Sequence, residues 1–454
     1  MLALAFGAMI GWGWVVTTGL WITEAGSLGA ILAFAIGGVL VVVVGLTYAE
    51  LASALPLAGG EHVYTFKAMG RTASFIATWA IILGYVSVVA FEAVALPTVF
   101  EYLVPDYSQG YLYTIAGWDV TATWAGVGIL GSILVAWVNY RGIKLTTAIT
   151  FILTMLILGA GLLLITGSTV SGDIQHMQPL FEKGIAGVLT VIIMTPFMFV
   201  GFDVIPQAAE EINLPQRKIG QLLIAAVVLA VLWYVAIIFG VSRVLGSGEL
   251  DASNLVTADA MAKAFGDSRM MGNILVLGGI GGIMTSWLGF YVGGSRAIFA
   301  LARAGMLPKS LGELHPKYNT PHKAIVLIAV LSTAAPLLGR PALVWLVDAG
   351  GLGLVVAWLM VAISFVILRK KRSGNEASIQ TFRRYDNWLG CHRYGVRCHG
   401  FIYAWYAIGA HLAVRVGYYR PVDYLGVVLY HVSLSKYGRE YADKHMKEEI
   451  DKIA

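Results

Sequence analysis

The sequence predicts an all-α polytopic membrane protein. Of its 454 residues, 58% are hydrophobic and only 13% are charged, and the mean hydropathy is +0.76. A soluble domain of this size would carry far more charge on its surface. Apolar runs of roughly 18 residues or more recur along the chain, each long enough to cross a bilayer core. The 53 glycines fit, since glycine is commoner in membrane helices than in soluble ones. The runs place ten core spans at 2–22, 27–54, 72–103, 122–140, 143–167, 185–206, 219–245, 272–302, 322–338 and 342–368.

The net charge of +5 is not spread as a nucleic-acid-binding surface would spread it. With a cytoplasmic N-terminus and loops assigned alternately, seventeen Lys and Arg fall on inside connections, among them Arg71, Arg141, Lys144, Lys218, Lys317 and Lys371. The outside connections hold five: Lys183, Arg243, Lys263, Arg269 and Arg340. This asymmetry predicts a multi-pass protein of the plasma or inner membrane, oriented with its N-terminus in the cytoplasm. It also supports the span count, because one miscounted helix would scramble it. No separate signal peptide is expected, since the first span is Gly-broken and lacks a cleavage pattern.

That first span contains "GAMIGWGW", with Gly7, Gly11 and Gly13 inside seven positions. Glycine inside a helix costs roughly 0.5–1 kcal/mol relative to alanine, so a plain anchor would not carry three. Five spans later "VLTVIIMTPFMFVGFDVIPQAAEE" is punctuated by Pro196, Gly201 and Pro206, with Asp203 among them. Paired interruptions at corresponding places in two halves are the best sequence pointer to the binding site of an inverted-repeat transporter. Unwinding a helix in hydrocarbon leaves amides and carbonyls without partners. A polar ligand can satisfy them: the half-helix N-terminus offers amides and a positive dipole end to a carboxylate, and the carbonyls before each break suit an ammonium group. The alternative for the first span is a small-residue helix-packing face.

At these residues the chain resembles the amino acid–polyamine–organocation (APC) permeases. "GAMIGWGW" looks like their first-helix motif, and "YAELASALPLAGGEHVYTFKAMG" (48–70) is similar to their second-helix and loop signature. "PFMFVGFDVIPQAAEEINLPQRKIG" (196–220) and "SRAIFALARAGMLPKSLGELHPKYNTP" (295–321) resemble the segments of the sixth helix and of the end of the eighth. The resemblance implies two inverted five-helix repeats, helices 1–5 over about 1–167 and helices 6–10 over about 185–368. Two peripheral helices are expected over 371–432. It implies alternating-access transport of an amino acid or related amine without a cofactor. By the same resemblance the amides of Trp12 and Gly13, beside Gly11, would hold the substrate carboxylate. The carbonyls of Met9, Phe197 and Val200, beside Gly201, would hold its amino group, with Phe197 as an aromatic gate. Two departures stand out. Trp12 occupies a place where relatives often have a small hydroxyl residue, and Ile157 stands where many have a lysine that mimics a sodium ion.

Glu92, in "VVAFEAVALP", falls near the middle of the third span. An isolated acid there costs roughly 2.5–3.5 kcal/mol on insertion scales, so Glu92 is expected to carry a proton or to recognise a cationic substrate end. A carboxyl bonded to a neighbouring helix without a coupling role is the alternative. Asp203 either responds to pH or caps amides of the second half-helix. Thr285 and Ser286 offer hydroxyls to a sodium ion beside the first-helix carbonyls, or simply bond between helices. The coupling ion is thus expected to be H+, with Na+ as the alternative. Arg296 and Arg303 are expected as boundary anchors or gate partners, with Glu50 and Glu61 as mates.

Residues 386–432 break every pattern. "CHRYGVRCHG" holds both cysteines, yet the resemblance demands apolar helices here. Reading "WLGCHRYGVRCHGFIYAWYAIGAH" one nucleotide out of frame can restore an apolar span, and an ordinary charged tail resumes over 433–454. A frameshift is the reading preferred to a divergent tail or a Cys/His metal site, and an intact gene frame refutes it. Elsewhere no nucleophile–base pair and no G-x-x-x-x-G-K-[ST] loop occurs, which argues against an enzyme or a nucleotide-driven pump. A transport-inactive sensor would tend to carry a large soluble appendage, and none is present in the sequence.

Overall fold

The computed structural model describes residues 2–208, 216–253 and 255–372. The expected peripheral helices, the 386–432 segment and the charged tail lie outside these residues. The described chain runs α1 (Leu2–Met9), α2 (Gly13–Val16), α3 (Thr18–Ala25), α4 (Ser27–Ala54), α5 (Glu61–Met69) and α6 (Arg71–Leu103). A hairpin β1 (Tyr111–Ile115) and β2 (Trp118–Thr121) follows, then α7 (Ala122–Arg141), α8 (Ile143–Ser171), α9 (Gly184–Phe199) and α10 (Val204–Gln207). The remainder is α11 (Gln216–Val244), α12 (Ser247–Ala252), α13 (Val256–Ala264), α14 (Arg269–Arg303), α15 (His322–Ala334) and α16 (Ala342–Arg372).

Among the described residues, eight helices are long and apolar enough to cross a membrane, and counting the bent first pair as one span brings the number to nine. The protein is therefore embedded in a membrane. The ninth expected span, 322–338, is instead a 13-residue helix prolonged by a 3-10 turn over Ala335–Leu338. Pro336 cannot donate to a helical carbonyl, which is why the regular turns stop there.

Burial ranks the helices. In their most apolar stretches α6 is 83% buried and α14 78%, against 33% for α8. The first two form the centre, and α8 turns Phe151, Ile152 and Leu162 outward, as a lipid-facing helix should. α16 lies along α6, α4 along α11, and the short α1 against α14, α11 and α8.

Among the described residues one short hairpin supplies the only strands in an otherwise all-α fold. Ala116 and Gly117 turn it with φ of 49° and 78°, the paired positive values that match strand twist in a two-residue loop. Tyr113 OH donates to Leu337 O at 2.6 Å, tying the hairpin to the turn after α15.

Groups expected to share one membrane face do meet. Arg369 of α16 holds Glu50 of α4 with two bonds of 2.9 Å, and Arg141 donates to Tyr318 OH at 2.9 Å. At the other set of loops Arg243 donates to Gly172 O at 2.8 Å, and Lys183 pairs with Glu24 at 2.8 Å.

Candidate functional site

The first helix breaks where its glycines lie. α1 ends at Met9 and α2 begins at Gly13, leaving Ile10–Trp12 outside both. A separate bend of 65° follows at Thr17, between Leu2–Val16 and Thr18–Ala25. Among the described residues the amides of Gly11, Trp12 and Gly13 find no hydrogen-bond acceptor. Such amides at a half-helix start are donors aimed at an anion.

Glycines of α14 let the break approach. A β-carbon on Gly282 would lie 2.7 Å from Gly11 O and 2.9 Å from Ile10 O. One on Gly279 would lie 2.3 Å from the six-membered ring of Trp12. The large side chain that replaces a small hydroxyl residue is thus laid over a glycine of α14, and Trp12 is only 3% exposed. Ile157, at the place of the missing lysine, is fully buried and stands beside Gly281.

The sixth-span region also divides, into α9 and α10 with Val200–Asp203 between. Pro196 has no N–H for the carbonyl of Ile192, and Thr195 Oγ1 donates to that carbonyl at 2.8 Å. At the break Gly201 has φ 128°, and a β-carbon there would lie 2.9 Å from both Ala8 Cβ and Met9 N. The two breaks therefore touch. Half-buried Phe197 sits between Phe91 of α6, ring centroids 6.2 Å apart, and Gly350 of α16, where a β-carbon would be 3.6 Å from its ring.

Sequence reasoning missed Tyr234. Its hydroxyl lies 2.9 Å from Met9 O and 3.2 Å from Met198 O, so one proton serves the carbonyls of both broken helices. A lone tyrosine in an apolar run reads as an interfacial residue. Depth was the signal that could have found it, because Tyr234 lies well inside α11, far from either end.

Glu92 of α6 enters the same space. A β-carbon on Gly11 would lie 2.8 Å from Glu92 Oε1 and 3.1 Å from Ser286 Oγ. Ser286 is within hydrogen-bonding reach of the carboxylate, whereas the buried Oε2 has no partner. Thr285 donates to Gly7 O at 2.9 Å and to Gly282 O at 3.0 Å, an interhelical bond between α1 and α14. Glu92, Thr285 and Ser286 thus gather around the first break with Gly11.

Asp203 departs from the simple capping expectation. Its Oδ1 accepts the amide of Gly201 at 3.1 Å, upstream of α10, and Oδ2 accepts Trp358 Nε1 of α16 at 2.8 Å. No first-turn amide of α10 is capped by it. Glu61 is also corrected as a mate for Arg296 or Arg303: among the described residues it meets Tyr48 and Gln207 and no cation.

Two helices interrupted side by side within a membrane bundle, with unpaired backbone amides and a buried acid at the interruption, define a polytopic membrane transport protein. The sequence matches the amino acid permease family over residues 1–414, and the chain belongs to that family, within the APC superfamily. It is similar to the branched-chain amino acid permease BcaP of Bacillus subtilis, 27% identical over 378 residues covering 81% of this chain and 79% of that one. It is similar also to the methylthioribose transporter of Bacillus subtilis, 24% identical over 380 residues, 83% and 81% covered. Cationic amino acid transporter 4 of Homo sapiens is 25% identical over 396 residues, 83% of this chain and 60% of that protein. These relatives are permeases and transporters, and the protein is not an enzyme.

Proposed function

We propose that the protein carries an amino acid or related amine across the membrane by secondary, alternating-access transport, with the N-terminus in the cytoplasm. The unpaired amides of Gly11, Trp12 and Gly13 support this most directly. Unpaired amides at a half-helix start suit a carboxylate, and Met9 O, which accepts from the Tyr234 hydroxyl, suits a substrate ammonium group in its place. Family membership and the permease relatives support the substrate class. The backbone clamp recognises what all amino acids share, so selectivity falls to side chains of α6, α9, α14 and α16. Phe197 is proposed as the aromatic gate, with Val200 and Gly201 lining the ammonium side. The reading keeps a core of two five-helix halves over residues 1–370, and an intact gene frame through codons 386–432 would remove the frameshift from it.

Coupling is proposed to run through protons at Glu92, with Asp203 as an associated acid. Glu92 Oε2 is buried without a hydrogen-bond partner beside the clamp, and a proton or a substrate cation would remove the cost of leaving it so. Sodium coupling is the second reading, drawn from Thr285 and Ser286, whose hydroxyls stand at the same break. Thr285 already donates to a first-helix carbonyl and Ser286 faces Glu92, which favours protons. Radiolabelled uptake of an amino acid panel into proteoliposomes under imposed proton and sodium gradients tests both. Accumulation driven by a proton gradient without sodium is expected, and a panel with no uptake under either gradient would overturn the transport reading.

A further inference from the structure

α5 lies in the connection between α4 and α6, outside the membrane-spanning helices, yet its first residue Glu61 is fully buried. Oε1 accepts from Tyr48 OH at 2.8 Å, and Oε2 accepts from Gln207 Nε2 of α10. A β-carbon on Gly60 would lie 3.2 Å from both Pro206 Cβ and Gln207 Nε2, so the connector is docked tightly on the half-helix. Asp203 opens that same half-helix. Tyr85 of α6, whose hydroxyl stands beside both Asp203 and Gln207, and Gln207 Oε1 complete the cluster, buried and without a well-formed hydrogen bond of their own.

Two carboxyls therefore share one buried cluster, and among the described residues neither makes an ion pair. The charged groups of the surrounding elements are engaged with other atoms. Arg369 of α16 holds Glu50 of α4, and Lys371 donates to Ala68 O at 3.2 Å. Arg296 of α14 donates to Val292 O and Ser295 Oγ at 3.3 Å. On α5 itself, buried His62 has Nδ1 2.8 Å from Ser74 Oγ, and Lys67 lies in the last turn. Arg71 heads α6, and Tyr64 of α5 adds a buried hydroxyl.

From this geometry we propose that Glu61 and Asp203 form a coupled proton-binding site that retains one proton, carried on Glu61, and joins the α4–α6 connector to half-helix α10. Two anions in one dry cluster without a counter-charge are strongly disfavoured, so the pair retains a proton. A neutral Glu61 becomes a donor, and the Gln207 amide can turn its unpaired Oε1 to receive it. Loss of the proton restores two charges and weakens the hold of the connector on α10, the half of the broken helix that borders the substrate site. Burial first, and the Asp203 charge second, push the Glu61 carboxyl up to about 8, which is compatible with a site that loads and unloads near neutral pH. A role in coupling rests on the transport reading; the proton site itself does not.

Infrared difference spectroscopy of the full chain in lipid nanodiscs tests it, following the C=O stretch of neutral carboxyl groups in a Glu92→Gln background so that Glu92 does not contribute. A neutral-carboxyl band is expected to vanish with a midpoint near 8. Adding Glu61→Gln should abolish that transition, and adding Asp203→Asn should lower its midpoint by about one pH unit, because a like charge is removed. Tyr48→Phe should raise the midpoint, because the anion loses a donor. A transition unchanged by Glu61→Gln, or a midpoint unmoved by Asp203→Asn, overturns the proposal. Should Glu61→Gln fail to fold, Asp203→Asn and Tyr48→Phe carry the test with Glu61 intact. If the infrared transition behaves as stated while no gradient drives uptake, the proton site stands and the transport reading falls.

Discussion

The hydroxyl of Tyr234 donates to the carbonyl oxygen of Met9 at 2.9 Å, closing the open end of the first half-helix from a residue 225 positions away. The same carbonyl is the proposed acceptor for the substrate ammonium group, so the two compete. Tyr234→Phe keeps the ring among Trp21, Phe34 and Phe199 and removes only the donor. The unliganded protein should lose about 1 kcal/mol of stability, and substrate should raise its melting temperature more than it raises that of the wild type. Thermal unfolding with and without substrate measures both. Equal stability of the two proteins would mean that this bond carries no weight.

Gly201 holds the two breaks together. Its φ of 128° is open to glycine and hostile to other residues, and a β-carbon would press on Ala8 and Met9. Gly201→Ala should cost on the order of 1–3 kcal/mol and separate the breaks. A lower thermal midpoint together with lost substrate binding is expected. Unchanged binding would show that the contact between the breaks does not shape the site.

Replacement of Glu92 by glutamine keeps shape and removes charge. Proton-driven uptake should fall at least about tenfold, or ~1.4 kcal/mol, while substrate exchange across the membrane continues. If exchange falls equally, Glu92 recognises substrate rather than carrying a proton. Replacing sodium by a large organic cation should leave uptake of the wild type unchanged.

Stability against pH should report two buried groups of α5. Burial pushes Glu61 from 4.5 up to about 8, so its contribution is complete below 4.5 and is lost as pH rises through 8. Burial lowers His62 from 6.5 to about 4, so its contribution is complete above 6.5 and is lost as pH falls through 4. The two slopes oppose each other between 4.5 and 6.5, giving a plateau, and stability should decline from there towards 8. In a Glu92→Gln background, Glu61→Gln should remove the alkaline decline and uncover the acid one, as read from thermal midpoints across this range.

Much of the fold was legible in the sequence because the bilayer imposes a local rule. The limits expected for the second span, 27–54, match α4 (Ser27–Ala54), and 72–103 matches α6 (Arg71–Leu103) within one residue. The breaks at "GAMIGWGW" and "FVGFD" were legible for the converse reason, since glycine and proline mark where a helix yields. The hairpin at Tyr111–Thr121 was not, because a two-stranded loop outside the bilayer leaves no hydropathy signal.

By itself the sequence determined most of the long apolar helices and where two of them are interrupted, because backbone solvation in lipid depends on residues next to one another along the chain. Only the tertiary structure decided that Tyr234 closes Met9, that Glu92 faces Gly11, and that Glu61 meets Gln207 rather than an arginine. Those pairings join residues from 81 to 225 positions apart. They are chosen by how glycine-lined helices pack, and no pattern within one helix encodes that choice.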